Sequence, residues 1–363
     1  MTLKVVHLSL TPLAGAPIRL VQALRKFAGI DARLINFNPN AYGSRIFDED
    51  IRFESTVSES REIIESADLV HLHHWIDLRK NSFGVDLTSK KVVRHFHSEP
   101  SFVSKHSGVS VDVIVNDPVP QVVVAQFQER YYPNARPVPN LLNLQVLRDV
   151  EAKESKVPKH ETLTVSYSPT TLTSSFDDRW NTKGAPETIK LIENFALKHA
   201  FCFDVFTDAP HARSLAKKYQ SDIVIDELVT GSYHLSGLEA LAFGKPTFGY
   251  LDQRVISVLS AITSSTSLPW INVPLHRIQD CFLNFLESEE LRSMAGQASR
   301  LWIEEFWTEA RLVAFYLRAY EDVLNGRSIL RDRPVMGLTD IAIPDYTWRN
   351  NIKDLSNFLE RLT

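Results

Sequence analysis

Cysteine is nearly missing from this chain, with only Cys202 and Cys281 among 363 residues. Two are too few for a disulfide framework or a cysteine-ligated metal, and they fit a reducing compartment. Long apolar runs are missing too. No stretch approaches 18 apolar residues, and residues 3–10 read as a strand with no basic leader before them, so neither a membrane span nor a secretory leader is expected. Nor is there an excess of charge of either sign. A formal net charge of −4 gives no reason to expect nucleic acid, and Arg25-Lys26 is the one dense basic group of the first half. The expectation is a cytoplasmic protein, at most peripheral at the inner face of a membrane. Glycine is sparse where a dinucleotide fold needs it. The first strand–helix loop, Thr11–Pro17 (TPLAGAP), holds only Gly15, so G-x-G-x-x-G is absent and an NAD-linked oxidoreductase is disfavoured.

What is present is ordinary globular material, 44% apolar and 23% charged, long enough for two cores. Strands and helices alternate as in doubly wound α/β sheets. Strands are expected at 3–9, 32–37, 67–72, 91–97 and 112–116, with helices from Pro17 and over 121–131. The polar run 150–161 (VEAKESKVPKHE) reads as a linker with its boundary near Pro158. A second alternating half begins with Thr162–Tyr167, and a helix is expected over 185–197. The predicted organisation is a first domain over 1–155, a second over 156–310, and a last segment, 311–363, comprising a helix and a tail. A very long helical pattern over 290–324 is too long to be straight, and 351–362 is a short amphipathic helix.

The chain is organised around Asp226–Leu251, DELVTGSYHLSGLEALAFGKPTFGYL. A buried strand ends there, a loop of Gly231, Ser232, Tyr233 and His234 follows, and a helix runs from Ser236, its expected N-cap, to Gly244. A strand, a small-residue loop and a helix N-terminus make a seat for an anion, because the first-turn amides are unpaired and the dipole is positive there. Glu239, one turn in, offers a carboxylate that could accept from ribose hydroxyls or simply complement the helix terminus.

This stretch resembles the donor-site signature of GT-B glycosyltransferases, the family 4-like enzymes of surface-polysaccharide synthesis, whose pattern runs G-x-Y-G, several apolar residues, E-A-M-A-x-G-K-P-V. Weaker likenesses occur at ADLVHLHHW, HFHS and YYPNARPVPN in the first half, and at the S-P-T loop, Lys183-Gly184 and the following helix in the second. The resemblance implies a GT-B fold, two Rossmann-like domains facing across a cleft. The second would bind a nucleotide-sugar, the first a glycan, lipid-linked or protein acceptor, and a C-terminal helix, 311–324, would cross back to the first. It implies transfer of a sugar to a hydroxyl with retained anomeric configuration and no metal or other cofactor. Catalysis falls to His97 and Lys183. Gly15, Ser168, Thr170, Arg179, Lys183, Tyr233, His234, Leu235, Ser236 and Glu239 contact the donor, with Glu239 on the ribose and Lys183 on the diphosphate. Relatives carry an acid eight positions before that glutamate, where this chain has Gly231. That departure leaves open a catalytically silent partner subunit, and a nucleotide-sugar epimerase of the same fold is a second alternative.

Histidines are dense in the first half. His71 and His73 share one face of their strand, as do His95 and His97 of the next. No carboxylate or cysteine completes a ligand set at familiar spacing, so no metal is expected there.

Overall fold

The computed structural model describes residues 2–41, 47–126, 128–158, 161–169, 172, 183–207, 209–265, 267–331 and 348–362. The chain forms two compact units. One comprises Met1–Leu141 with Glu309–Val335, the other Leu142–Thr308 with Met336–Thr363.

The first unit is built on a seven-stranded parallel sheet: β1 (Lys4–Ser9), β2 (Asp31–Asn36), β3 (Ile51–Arg52), β4 (Leu69–His73), β5 (Lys91–Phe96), β6 (Gln121–Val124) and β7 (Ala135–Val138), in the order β3-β2-β1-β4-β5-β6-β7. One face is apolar, where Val6, Leu8, Val70 and Leu72 pack with Ile35 and Ile64. Strand alternation puts His7, His71, His73 and His95 on the opposite face, all buried. The helix Glu309–Leu324 covers that face with Tyr316 and Tyr320. It is tied to the sheet by a buried ion pair, Arg136 Nη2 to Asp322 Oδ2 at 2.5 Å, and by the Tyr316 hydroxyl donating to the Pro139 carbonyl at 2.7 Å.

The second unit holds β8 (Thr164–Tyr167), β9 (Cys202–Val205), β10 (Ile223–Glu227), β11 (Thr247–Gly249) and β12 (Ile271–Asn272), all parallel, in the order β12-β11-β10-β8-β9. Val165, Tyr167, Ile223, Ile225 and Phe248 meet Ile192, Phe195, Phe282 and Phe285 in its core.

Two expected elements exchange character. Residues 112–116 are not a strand: Val111–Val115 is a short helix, capped by the Ser110 side chain accepting from the Val113 amide. Val111 and Val113 face outward, Val113 at 49% exposure, while Ile114 is fully buried, so only one side of the apolar run enters the core. The strand is Gln121–Val124, within the expected helix 121–131, where three consecutive valines lie between β5 and β7. The unit boundary falls at Leu141, ahead of the expected 155. The helix Leu144–Glu154 belongs to the second unit, where Glu151 pairs with Arg300 at 2.7 Å and Glu154 accepts from Gln220. The long pattern over 290–324 divides into Glu289–Phe306 and Glu309–Leu324, and the division falls at the unit boundary. Among the described residues no helix is long and apolar enough to cross a membrane.

Candidate functional site

The strand order of the second sheet reverses between β8 and β10. In open parallel sheets, ligands bind beyond the strand C-termini at such a switch point. Ser168 follows β8, Asp226 and Glu227 end β10, and two helices begin beside them, Ala185–Ala196 and Leu235–Ala242.

The helix Leu235–Ala242 starts one step earlier than the sequence suggests. Its N-cap position is His234, whose backbone amide donates to Asp226 Oδ2 at 2.8 Å, and no side chain caps it. Ser236 instead bonds Ser168, Oγ to Oγ at 2.7 Å, joining the helix to the end of β8. His234, Leu235 and Ser236 are partly exposed, while Tyr233 is fully buried against Trp270 and Trp307. Gly237 is required by the approach of Asp226. A Cβ there would stand 2.3 Å from Asp226 Oδ2.

Lys183 precedes the helix Ala185–Ala196 in the left-handed region (φ 55°), and Gly184 follows in the same region as its N-cap. Its ammonium is buried, 3.4 Å from both Asp226 Oδ1 and the Ser168 carbonyl, while the Tyr167 hydroxyl donates to its carbonyl. Burial lowers the Lys183 pKa, and Asp226 opposes that. Burial likewise raises the Asp226 carboxyl, but Lys183 and His234 outweigh it and hold it below the ordinary value. An ammonium has three donors, so the two long contacts leave capacity for an incoming anion.

Glu227 gathers the loop. Its oxygens accept from the amides of Val229, Thr230, Gly231 and Ser232 and from the Thr230 hydroxyl. Burial pushes this carboxyl up to about 7, against the pull of those donors. Glu239 is buried with one oxygen on Lys218 Nζ at 2.5 Å and the other on His211 Nε2 at 2.9 Å. Burial raises its pKa, but Lys218 and His211 overcome this and hold it far below the ordinary carboxylate range. Each oxygen keeps a lone pair that a hydroxyl could use. Thr170 and Arg179 lie outside the described residues. A cavity of about 480 Å³ at the ends of β10, β11 and β12, lined by Leu228, Val229, Tyr250 and Leu275, adjoins the loop that Glu227 organises.

Gly15 and His97 belong to the first unit. Gly15 (φ 74°) is the N-cap of the helix Ala16–Ala28, where a Cβ would strike Arg19. His97 sits at the end of β5 within the histidine face. His7 pairs with His71 across β1 and β4, and His73 with His95 across β4 and β5. His7 stacks on His71 at 4.5 Å, and His95 lies tilted against His97 at 3.9 Å between centroids. Burial first, and neighbouring imidazoles next, lower the pKa values of His71, His73, His95 and His97, so the face is neutral. His74, left-handed at φ 63°, is lowered to about 4 by burial.

Sequence reasoning passed over Asp226, Glu227, Lys218 and His211 as site groups. The signal for the first two was present: two acids closing an apolar strand, ahead of a Thr-Gly-Ser loop. The burial of Lys218 on a largely polar helix had none.

No protein-family model matches this chain, and no curated protein matches it by sequence. Solved structures do. Sucrose-phosphate synthase from Thermosynechococcus elongatus is similar at a TM-score of 0.54 and 12% identity, over 89% of this chain and 99% of that one. Anabaena HepE in complex with UDP and glucose gives 0.55 and 11%, over 88% and 100%. HepE with UDP-glucose gives 0.53 and 12%, over 86% and 98%. The chain has the GT-B fold, two parallel-sheet α/β units.

Proposed function

We propose that this chain is a glycosyltransferase that takes its sugar from a nucleoside-diphosphate donor bound at the C-terminal ends of β8 and β10. One observation carries the reading: Lys183, Ser168 and the uncapped N-terminus of the helix Leu235–Ala242 converge at the switch point of the second sheet. Helix-terminal amides and an ammonium form an anion seat of the kind a departing diphosphate needs. Glu239 lies one turn into the same helix, placed to accept from a ribose hydroxyl. The binding of UDP and of UDP-glucose by a protein of like fold supports the ligand class. Calorimetric titration with UDP and GDP tests it. Saturable binding of either at micromolar to millimolar levels is expected, and no heat with any nucleoside diphosphate would sink the donor site. In this reading the anomeric configuration is retained. An inverted anomeric proton coupling in the product's NMR spectrum would refute that part alone.

Gly231 stands where relatives of the family carry an acid, and its surroundings offer a replacement. Its backbone is left-handed (φ 80°), and a Cβ there would lie 2.9 Å from the Asp252 Cβ and 3.2 Å from its Oδ2. Asp252 thus occupies the space that a side chain at 231 would enter, while its Oδ1 caps the next helix through the Val255 amide. We assign the donor-sugar contact to Asp252. Asp252→Asn keeps the capping oxygen and removes the charge. It is expected to lower kcat/KM for the donor about tenfold, equivalent to the ~1.5 kcal/mol of one charged hydrogen bond, with UDP affinity unchanged. Equal turnover by variant and wild type would remove Asp252 from the site, whereas nucleotide binding with no turnover in the wild type would favour a silent partner subunit.

A further inference from the structure

We propose that His73, His95 and His97 form a binding site for a divalent transition ion of the zinc type. One nitrogen from each of the three lies within 4.8 Å of the others, at the C-terminal ends of β4 and β5. Sequence spacing could not reveal the set. His73 and His95 are brought together by strand register, and His97 follows His95 by one full pleat.

The orphaned nitrogens point to a ligand. His95 is 1% exposed, and neither of its ring nitrogens has a hydrogen-bond partner. A neutral imidazole carries one N–H and one lone pair, and leaving both unmet in a buried site costs free energy that an ion on the lone pair would offset. The His73 Nδ1 to His97 Nε2 distance is 2.9 Å, short enough for one hydrogen bond or for one edge of a coordination shell.

Behind these residues the network sets the tautomer an ion needs. His73 Nε2 faces His7 Nδ1 at 3.1 Å, His7 Nε2 faces the Tyr320 hydroxyl at 3.5 Å, and that hydroxyl faces His71 Nδ1 at 2.7 Å. If His73 donates its Nε2–H, His7 accepts at Nδ1 and donates from Nε2 to Tyr320, which donates to His71. Each donor from His73 to Tyr320 then has an acceptor, the chain ending at His71 with its Nε2 unpartnered, and the His73 Nδ1 lone pair is left facing His97. This is the outer-shell arrangement by which ligating histidines are oriented. Three neutral imidazoles suit zinc, cobalt, nickel or copper, not magnesium or calcium. The partial exposure of His97 gives an entry path. With an ion bound, the His97 lone pair is committed to it, and the catalytic role that the resemblance assigns to His97 is closed.

The test uses the full chain, stripped with a chelator and titrated with Zn²⁺ and Co²⁺ near neutral pH. One tightly held ion per chain is expected by elemental analysis, with visible Co²⁺ bands of low-coordinate imidazole ligation. His95→Ala and His97→Asn should each weaken binding about 100-fold or more, and Tyr320→Phe, which breaks the supporting chain, about tenfold. His106→Ala, on an exposed histidine, should change nothing. If His95→Ala does not fold by circular dichroism, the more exposed His97→Asn decides. A wild-type chain that takes up no ion at micromolar concentration overturns the proposal. So does a folded His97→Asn chain that binds as the wild type does, or loss of binding in His106→Ala, and the histidine face is then apolar-style packing of neutral rings.

Discussion

Glu239→Gln is expected to lower the stability of the chain by about 3–5 kcal/mol, because it strands a buried ammonium. Lys218 is 3% exposed, and Glu239 is its carboxylate at 2.5 Å, so the amide would leave the lysine's charge unmatched in the interior. Urea titration measures the effect. The same variant should weaken UDP or GDP binding by about 1.5–3 kcal/mol if a ribose shares the carboxylate. The two readouts separate the roles: loss of stability with unchanged nucleotide affinity would confine Glu239 to holding Lys218 and His211. The pH dependence follows from the same geometry. The folded pKa of Glu239 is depressed, so its contribution is present above the ordinary value of 4.5 and is lost as pH falls below it toward the folded value. Wild-type stability should therefore fall in that acid range more steeply than that of Glu239→Gln.

Lys183→Met carries the second large effect. It keeps most of the aliphatic stem and removes the charge beside Asp226, which is wholly buried, so stability should drop by about 3–5 kcal/mol. Under the proposed function kcat should fall about 10²–10³-fold, because leaving-group charge grows in the transition state. Pairing it with Asp226→Asn tells these apart. The second change removes the uncompensated carboxylate and leaves an oxygen for the His234 amide, so about half of the lost stability should return, by roughly 2 kcal/mol. Turnover should not return. Recovery of both together would mean that Lys183 acts only by holding Asp226 and the start of the helix Leu235–Ala242.

How far such groups can be read from sequence differs by residue. The stretch Asp226–Leu251 was legible because local chemistry sets it: an apolar strand, a small-residue loop, and Gly244 at φ 68° where the helix stops. The swap at 111–124 was not, because three valines fit an exposed helical turn and a central strand equally well until their neighbours are known. The break near Trp307 was foreseen only as a bend. What fixes its place is that residues on either side join different units, a long-range fact. Lys183 was recognised by motif, but its partner was not, since Asp226 lies 43 positions away in sequence. His7 escaped notice as a lone histidine on the first strand, though strand pairing sets it beside His71.

The helix Glu309–Leu324 has a consequence for how the chain is made. Arg136 is paired with Asp322 and the Ile329 carbonyl, His71 with Tyr320, and the carbonyl of Pro139 with Tyr316. All of the second unit's sheet is encoded between those two sets of residues. On a ribosome that synthesises from the N-terminus, the first unit therefore leaves the tunnel with a buried arginine unpaired and its histidine face open. It stays so until some 180 further residues have been added. The later-made sheet can close first. The second unit is in turn completed by the helix Trp348–Leu362, where Trp348 and Ile352 pack on its core, so each unit waits for a segment that follows its own sheet in the chain.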